Sequence, residues 1–532
     1  MEVAVVGSGV AGTSAASALA ARGIAITILD VGEELDARRQ AVVARLHELP
    51  TDQWPAADYE LIRENPTFGN NDLPKKVHFG SDYIYANDRP FSRMATLAKG
   101  RVPYPTFAKG GFSNIWGAAV LPPDSCDMMD WPLTRREMEP YFRKIAQLLP
   151  LCGGEGTLAR TFPAYKERLG DLDPGPQGEA LLDDLRRAEP RLEARQTVYG
   201  KARLAVHTEA ADGGVLPCNG CGYCFTGCVR NSIYSTRPLL DELVRKNGVS
   251  YQMGVFVDRV EERDGKAILE TIDVSTRERR TLSFDAAFIA GGPINTIRLL
   301  ARSKGYYDQP ILLKESQKFV LPMLRLRSAR TAIEHPSITL ASVFLETKVP
   351  ALSDHWIHVQ IVPMNAMLVE SARLPATTHP LGRHLWKPVL RHLMTAWCGM
   401  HSDHSSFVEL RLRRGQGGAD DVLELDLKIS EDARAAARRA AKDLFSKGLL
   451  FGTVFCHWMI KFSNPGSGTH CGSAFPMKTR PAGPFDSDLL GRPFGWSRIF
   501  VVDSSVLPSI PGTTLAFSTM SNAYRIGSLA PV

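Results

Sequence analysis

Cys218, Cys221, Cys224 and Cys228 stand within eleven residues, in the stretch CNGCGYCFTGC. Intervals of two, two and three residues between thiols are those of an iron–sulfur ligand run. Zinc sites usually set their two ligand pairs a dozen or more residues apart, whereas only two residues separate Cys221 from Cys224. Two disulfides and four free thiols are the competing readings, and Val229 occupies the place where a ferredoxin-type run has Pro. The other five cysteines, Cys126, Cys152, Cys398, Cys456 and Cys471, are scattered. A second centre of chemistry is His470, in the glycine-rich stretch GSGTHCGSAFPM. A neutral imidazole has the pKa to take a hydroxyl proton near neutral pH. His401 and His404, in CGMHSDHSSFVELRL, precede an alternating strand and are candidate partners for it; His457, inside an apolar run, reads as structural.

The elements that must position these groups begin at the first residues. VAVVGSGVAGTSAASALAARGIAITILD reads as a strand at Val3 to Val6, a glycine turn, a helix from about Ala11 to Arg22, and a strand from Ala25 closed by Asp30. Gly7 permits the turn, Gly9 lets backbone approach a pyrophosphate, and Gly12 allows close helix–strand packing. Asp30 can accept hydrogen bonds from ribose hydroxyls. At the other end, a strand from Arg498 to Val502 leads through Asp503 and a Pro-bounded loop into a helix from about Thr514 to Leu529. Between them, Ser430 caps a helix over Ser430 to Lys447 with Glu431 and Asp432 in its first turn.

With 532 residues the chain exceeds a single hydrophobic core, so interleaved domains are expected. Hydrophobic residues at 44% and charged residues at 23% are those of a globular protein, and a net charge of +6 without basic–aromatic runs gives no nucleic-acid partner. The apolar stretch Gly448 to Ile460 is too short to span a bilayer and reads as buried core. The chain opens on Met1-Glu2 directly before a strand, which leaves no room for a signal segment and leads us to expect a cytoplasmic protein.

The N-terminal glycine triplet and the closing pattern, taken together, resemble the glucose–methanol–choline family of FAD-dependent oxidoreductases. AKGGFSNIWGAAVLPPDSCDMMDWPLTRREMEPYF (Ala108 to Phe142) and FDAAFIAGGPINTIRLLARS (Phe284 to Ser303) are similar to two further family segments, in the family's chain order. The resemblance implies an α/β fold: an FAD-binding Rossmann-like domain (1–130, 195–305 and 463–532) with an inserted α+β substrate domain on an antiparallel sheet (131–194 and 306–462). It implies FAD contacts at Gly110, Gly111, Ser113, Trp116, Val257, Asp503 and Thr514, besides the N-terminal glycines and Asp30. The last helix would point its N-terminus at the flavin, where its dipole favours negative charge. Trp116 resembles the pyranose-oxidising branch. Ile115 stands where those sugar oxidases have the His that tethers flavin, so the FAD should be non-covalent. The resemblance makes His470 the base; the second catalytic position, usually His or Asn, falls on Thr514, with Thr513 one residue away.

The implied activity is oxidation of an alcohol on a sugar, polyol or glycoside, aminoglycoside-type natural products included, to an aldehyde or ketone. The electrons would pass to oxygen or an external acceptor. Alternatives are a flavin-bound lyase or decarboxylase, and an electron-transfer flavoprotein in which the cysteines matter more than His470. Many relatives carry a metal-free cysteine loop at this place. A few sugar dehydrogenases hold a three-iron cluster with a pattern matched by Cys224, Cys228 and Tyr234.

Overall fold

The computed structural model describes residues 1–64, 76–85, 104–371, 386–415, 421–467 and 469–532. Five parallel strands form one sheet in the order Ile499–Val501, Ala286–Ile289, Glu2–Val6, Ala25–Asp30, Ser250–Met253. The apolar runs of the first four are buried on both faces, as a parallel sheet covered by helices requires, while the edge strand Ser250–Met253 is largely exposed; Phe288 stacks on Phe500 across neighbouring strands at 4.9 Å. The helix Val10–Ala20, rich in small residues, packs on the C-terminal helix Leu515–Leu529. There a side chain on Gly527 would strike the backbone of Ala15.

A seven-stranded antiparallel sheet runs Thr453–Phe455, Lys318–Arg325, Leu393–Gly399, Ser353–Pro363, Val343–Val349, Thr197–Lys201, with Lys461–Phe462 paired beside Lys318–Arg325. It takes one strand, Thr197–Lys201, from the segment 195–305. Alternation along its strands divides its faces. Phe319, Leu321 and Met323 pack with Val359, Ile361 and Ala396 against the helices Gly175–Glu193 and Glu431–Gly448, burying Leu181, Leu185, Ala440 and Leu444 completely. The opposite face carries Lys318, Gln360 and Trp397, which line a cavity. A four-stranded antiparallel sheet, Val422–Lys428, Phe407–Arg413, Ile311–Glu315 and Cys471–Gly472, joins the two parts.

The Ser430 hydroxyl accepts from the Ala433 amide at 3.1 Å, as its N-cap position predicts. Gly448 to Ile460 is a correction: it forms a short helical turn, a three-residue strand and a second turn. Phe451 and Phe455 are buried but Leu449, Trp458 and Met459 are exposed, because the stretch turns twice at the sheet edge. His457 sits edge-on to Phe445 at 5.3 Å. Among the described residues no helix is long and apolar enough to cross a membrane.

Candidate active site

A cavity of about 460 Å³ lies between the C-terminal ends of the parallel strands and the polar face of the antiparallel sheet. Crevices at strand C-termini are where open α/β sheets bind their ligands. Gly7, Gly9, Asp30, Gly111, Ser113, Trp116, Val257, Asp503, Thr514 and His470, drawn from five distant stretches of chain, all line it. Gly12, Gly110 and Thr513 do not.

At the first strand, Gly7 turns with φ +101°, and Gly9 caps the helix Val10–Ala20 with no side-chain cap. Gly9 has an ordinary φ of −67°, and a Cβ there would meet no atom within 4 Å. Neither backbone conformation nor protein packing demands glycine at this point; what is left empty is the space in front of the helix N-terminus, where an anion is favoured. Gly12 differs, since its Cβ would lie 1.9 Å from the Gly7 carbonyl oxygen. Asp30 is buried, and burial pushes its carboxyl up to about 6. The Ser8 hydroxyl donates to Asp30 Oδ2 and accepts from the Gly110 amide at 2.9 Å, fastening the Gly-Gly loop to the first turn. Asp503 accepts from the Thr296 hydroxyl at 2.6 Å and from the Ser505 amide at 2.9 Å, and burial raises its carboxyl as well.

The opposite end gathers His470, Lys318, Gln360, Trp116 and Trp397. His470 is held by the pairing of Cys471–Gly472 with Ile311–Glu315 and by the Ser316 amide, which donates to the His470 carbonyl at 2.9 Å. The Gly466 amide donates to Glu315, closing the loop that precedes it. Burial, then the charge of Lys318, hold the His470 imidazole well below its usual value, so the ring is neutral at neutral pH. Its Nδ1 is buried without a hydrogen-bond partner. Burial lowers Lys318 to about 8. Gln360 is aligned from behind: its amide lies 2.9 Å from His358 Nε2, and His358 Nδ1 lies 2.5 Å from Glu346, both partners fully buried. The Trp116 indole donates to the Tyr234 carbonyl at 2.7 Å.

Thr514, expected as the second catalytic position, lines the cavity but has its hydroxyl committed to backbone. Its Oγ1 donates to the Leu121 carbonyl at 3.0 Å and accepts from the Leu121 amide at 2.8 Å, so its single proton is spent on backbone. The residue is instead the N-cap of Leu515–Leu529, whose first turn enters the cavity without an acidic side chain. Thr513 is completely buried with an unpartnered hydroxyl, outside the cavity wall. His401 and His404 also lie off the cavity and pack instead around His355. Sequence reasoning passed over Lys318 and Gln360. The local signal was partial: a lysine and a glutamine each flanked by apolar residues in an alternating strand, with the sheet pairing deciding which face they take.

All nine cysteines are unpaired. Cys218, Cys221, Cys224 and Cys228 surround a second cavity of about 20 Å³. Burial, then the neighbouring Cys224, push Cys218 up to about 11 and Cys221 up to about 12. Among the described residues, the group of three metal-ligand side chains whose ligand atoms all lie within 4.8 Å is His355, His401 and Asp403, not the cysteines. The sulfurs are thus spread wider than the ~3.8 Å separation set by ~2.3 Å Zn–S bonds in a tetrahedron. Phe225, inside the cysteine loop, also lines the large cavity, as does Lys76, which donates to the Trp116 carbonyl at 3.1 Å and feels Cys224 and Cys228.

Two sheets facing each other across one cavity define a mixed α/β protein whose large cavity lies between a parallel and an antiparallel layer. Pyridoxine 4-oxidase from Mesorbium loti has a similar fold, with a TM-score of 0.59 over 99% of this chain and 98% of that one at 14% sequence identity. No protein family's sequence profile matches the chain, and no curated protein does. The likeness is therefore one of fold.

Proposed function

We propose that the chain is an FAD-dependent oxidoreductase acting on the alcohol group of a sugar, polyol or glycoside, with His470 as the base. The observation that carries this reading is one cavity with an anion-ready helix N-terminus at one end and a neutral, enclosed imidazole at the other. The residues fit FAD: Gly9 leaves room for a pyrophosphate at the helix start, and Asp30 and Asp503 offer carboxylates to hydroxyls. Gly111, Ser113, Trp116 and Val257 complete its surroundings, with Gly110 behind them on the Ser8 hydroxyl, in an FAD-binding domain of 1–130, 195–305 and 463–532, less the strand Thr197–Lys201 that joins the sheet of the substrate domain of 131–194 and 306–462. Ile115, in the cavity wall, has no nucleophile, so the attachment is non-covalent. FAD bound there supplies the acceptor for the hydride that leaves the carbinol carbon.

This chain's own residues do the rest. The neutral His470 ring takes the hydroxyl proton at a ring nitrogen. Lys318 places a positive charge beside it, which favours the developing alkoxide oxygen and opposes premature protonation of the imidazole. Gln360, fixed by His358 and Glu346, offers amide groups to substrate hydroxyls, and the faces of Trp116 and Trp397 suit a sugar ring. Flavin that co-purifies, is released on acid precipitation and bleaches anaerobically with members of a sugar and polyol panel is the expected result. Flavin that binds but is never reduced by any alcohol would instead support the lyase reading.

The four-cysteine loop adds an iron–sulfur centre to the proposal. Four thiols of cluster spacing around one small cavity, next in sequence to Phe225 in the wall of the large one, form a suitable donor set, and the loop has to open around a cluster. Such a centre would pass electrons singly to an external acceptor. Anaerobic preparations should contain several irons and sulfides per chain; less than about half an iron per chain after reconstitution returns the loop to a structural role.

A further inference from the structure

We propose that the turn His457–Met459, together with the neighbouring stripe of the helix Glu431–Gly448, is a peripheral docking surface for a membrane that bears anionic lipid headgroups. Trp458 is 62% exposed and Met459 56%, two adjacent large apolar side chains at the edge of the seven-stranded sheet. Phe445 backs them from the helix, its ring edge-on to His457 at 5.3 Å and to Trp458 at 6.3 Å. Arg438 and Lys442 stand seven and three residues before Phe445, so the three share one stripe of that helix. Arg438 also lies over the half-buried Phe462 ring at 5.4 Å, which carries the basic stripe across to Lys461, the next residue along the chain.

The charge around the two apolar side chains is of one sign. Arg438, Lys442 and Lys461 are all exposed, and among the described residues none of them stands in an ion pair. Two of the helix's three acids are already engaged: Asp443 pairs with the buried Lys447 at 2.6 Å, and Glu431 with Arg434 at 3.0 Å. The third, Asp432, sits in the first turn, six residues ahead of Arg438. Positive charge is therefore left without a counter-charge beside the exposed tryptophan.

A stable protein partner needs roughly 20 to 30 residues a side, with charge kept out of the centre of the patch. Two apolar side chains amid uncompensated cations suit instead an interface that is apolar at one depth and anionic at another. Tryptophan rests at the headgroup level, methionine reaches the acyl boundary, and lysine and arginine lay their stems along the apolar surface with their charges at the phosphates. Each cation at an anionic surface strengthens binding about fivefold, so three of them supply about a hundredfold. The helix packs on the face of the sheet that carries Phe319 and Leu321, whereas Lys318 and Gln360 line the cavity from the opposite face. Docking here does not depend on what the cavity binds.

The test is co-sedimentation of the full-length protein with vesicles of phosphatidylcholine alone and of phosphatidylcholine with about 30% phosphatidylglycerol, at low and at high salt. The expected result is binding to the anionic vesicles that salt weakens, and a tryptophan signal, quenched by brominated acyl chains, that is lost in Trp458→Ser. Trp458→Ser with Met459→Ser should lower the affinity for anionic vesicles at least tenfold, and Arg438→Gln with Lys442→Gln and Lys461→Gln should lower it about a hundredfold. All five positions are exposed, so an unchanged melting temperature shows that the fold is kept. No binding to anionic vesicles, binding unchanged by either set of substitutions, or a concentration-dependent dimer that Trp458→Ser abolishes in a chain that binds no vesicles, overturns the proposal.

Discussion

Gly9→Ala separates the cofactor reading from mere folding. The residue has a φ of −67° that alanine adopts freely, and its new methyl would meet no protein atom within 4 Å. Alanine is a poorer helix cap than glycine by about 0.5 to 1 kcal/mol, and the stiffer unfolded chain returns a similar ~0.4 to 1 kcal/mol. The stability of the FAD-free protein should therefore barely move. The methyl does stand where a pyrophosphate must approach the helix start, and FAD affinity should fall at least hundredfold, about 2.8 kcal/mol. Gly12→Ala is the control with the opposite signature: its Cβ would lie 1.9 Å from the Gly7 carbonyl oxygen, so it costs ~1 to 3 kcal/mol or more of stability before any ligand is added. Thermal melts of FAD-free protein and FAD titration by flavin fluorescence read both quantities. A Gly9→Ala protein that is equally stable and binds FAD like the unaltered chain would refute the placement of the phosphates.

Asp30 has a folded value of about 6 against 3.8 when unfolded, so between those values the folded chain holds the extra proton. Stability of the FAD-free protein from this group falls as pH rises from about 4 to about 6 and stays lowered above, by about 3 kcal/mol. Asp30→Asn should match the unaltered protein near pH ~4 in urea melts and exceed it near pH ~7.5; equal stability at both contradicts the burial argument. Lys318→Met removes a positive charge that helps keep His470 neutral, so the imidazole protonates at higher pH and the acid limb of the flavin-reduction profile moves up; a limb that stays in place or moves down removes Lys318 from the account.

Both ends of the cavity were legible because local chemistry writes them. A strand, a glycine turn and a helix at Val3 to Arg22 need only short-range sterics, and the structure has Glu2–Val6 and Val10–Ala20 there. The C-terminal strand and helix fell at Ile499–Val501 and Leu515–Leu529, within a residue of their expected limits. What escaped depends on long-range register. Lys318 and Gln360 face the cavity only because Lys318–Arg325, Leu393–Gly399 and Ser353–Pro363 pair as they do, Gln360 opposite Trp397. Thr514 looked available because nothing near it in sequence announces Leu121, 393 residues away, as its partner. His401 and His404 looked like partners for His470 until His355, stacked on His401 at 3.8 Å, drew them elsewhere.

Anaerobic rapid mixing of the FAD-loaded protein with an alcohol that bleaches its flavin, in the unaltered chain and in His470→Ala, tests the central claim most directly. The account predicts that His470→Ala keeps FAD and slows bleaching by about two to four orders of magnitude at neutral pH, the scale of a lost general base. Bleaching within tenfold of the unaltered rate would contradict it and take the proton away from His470.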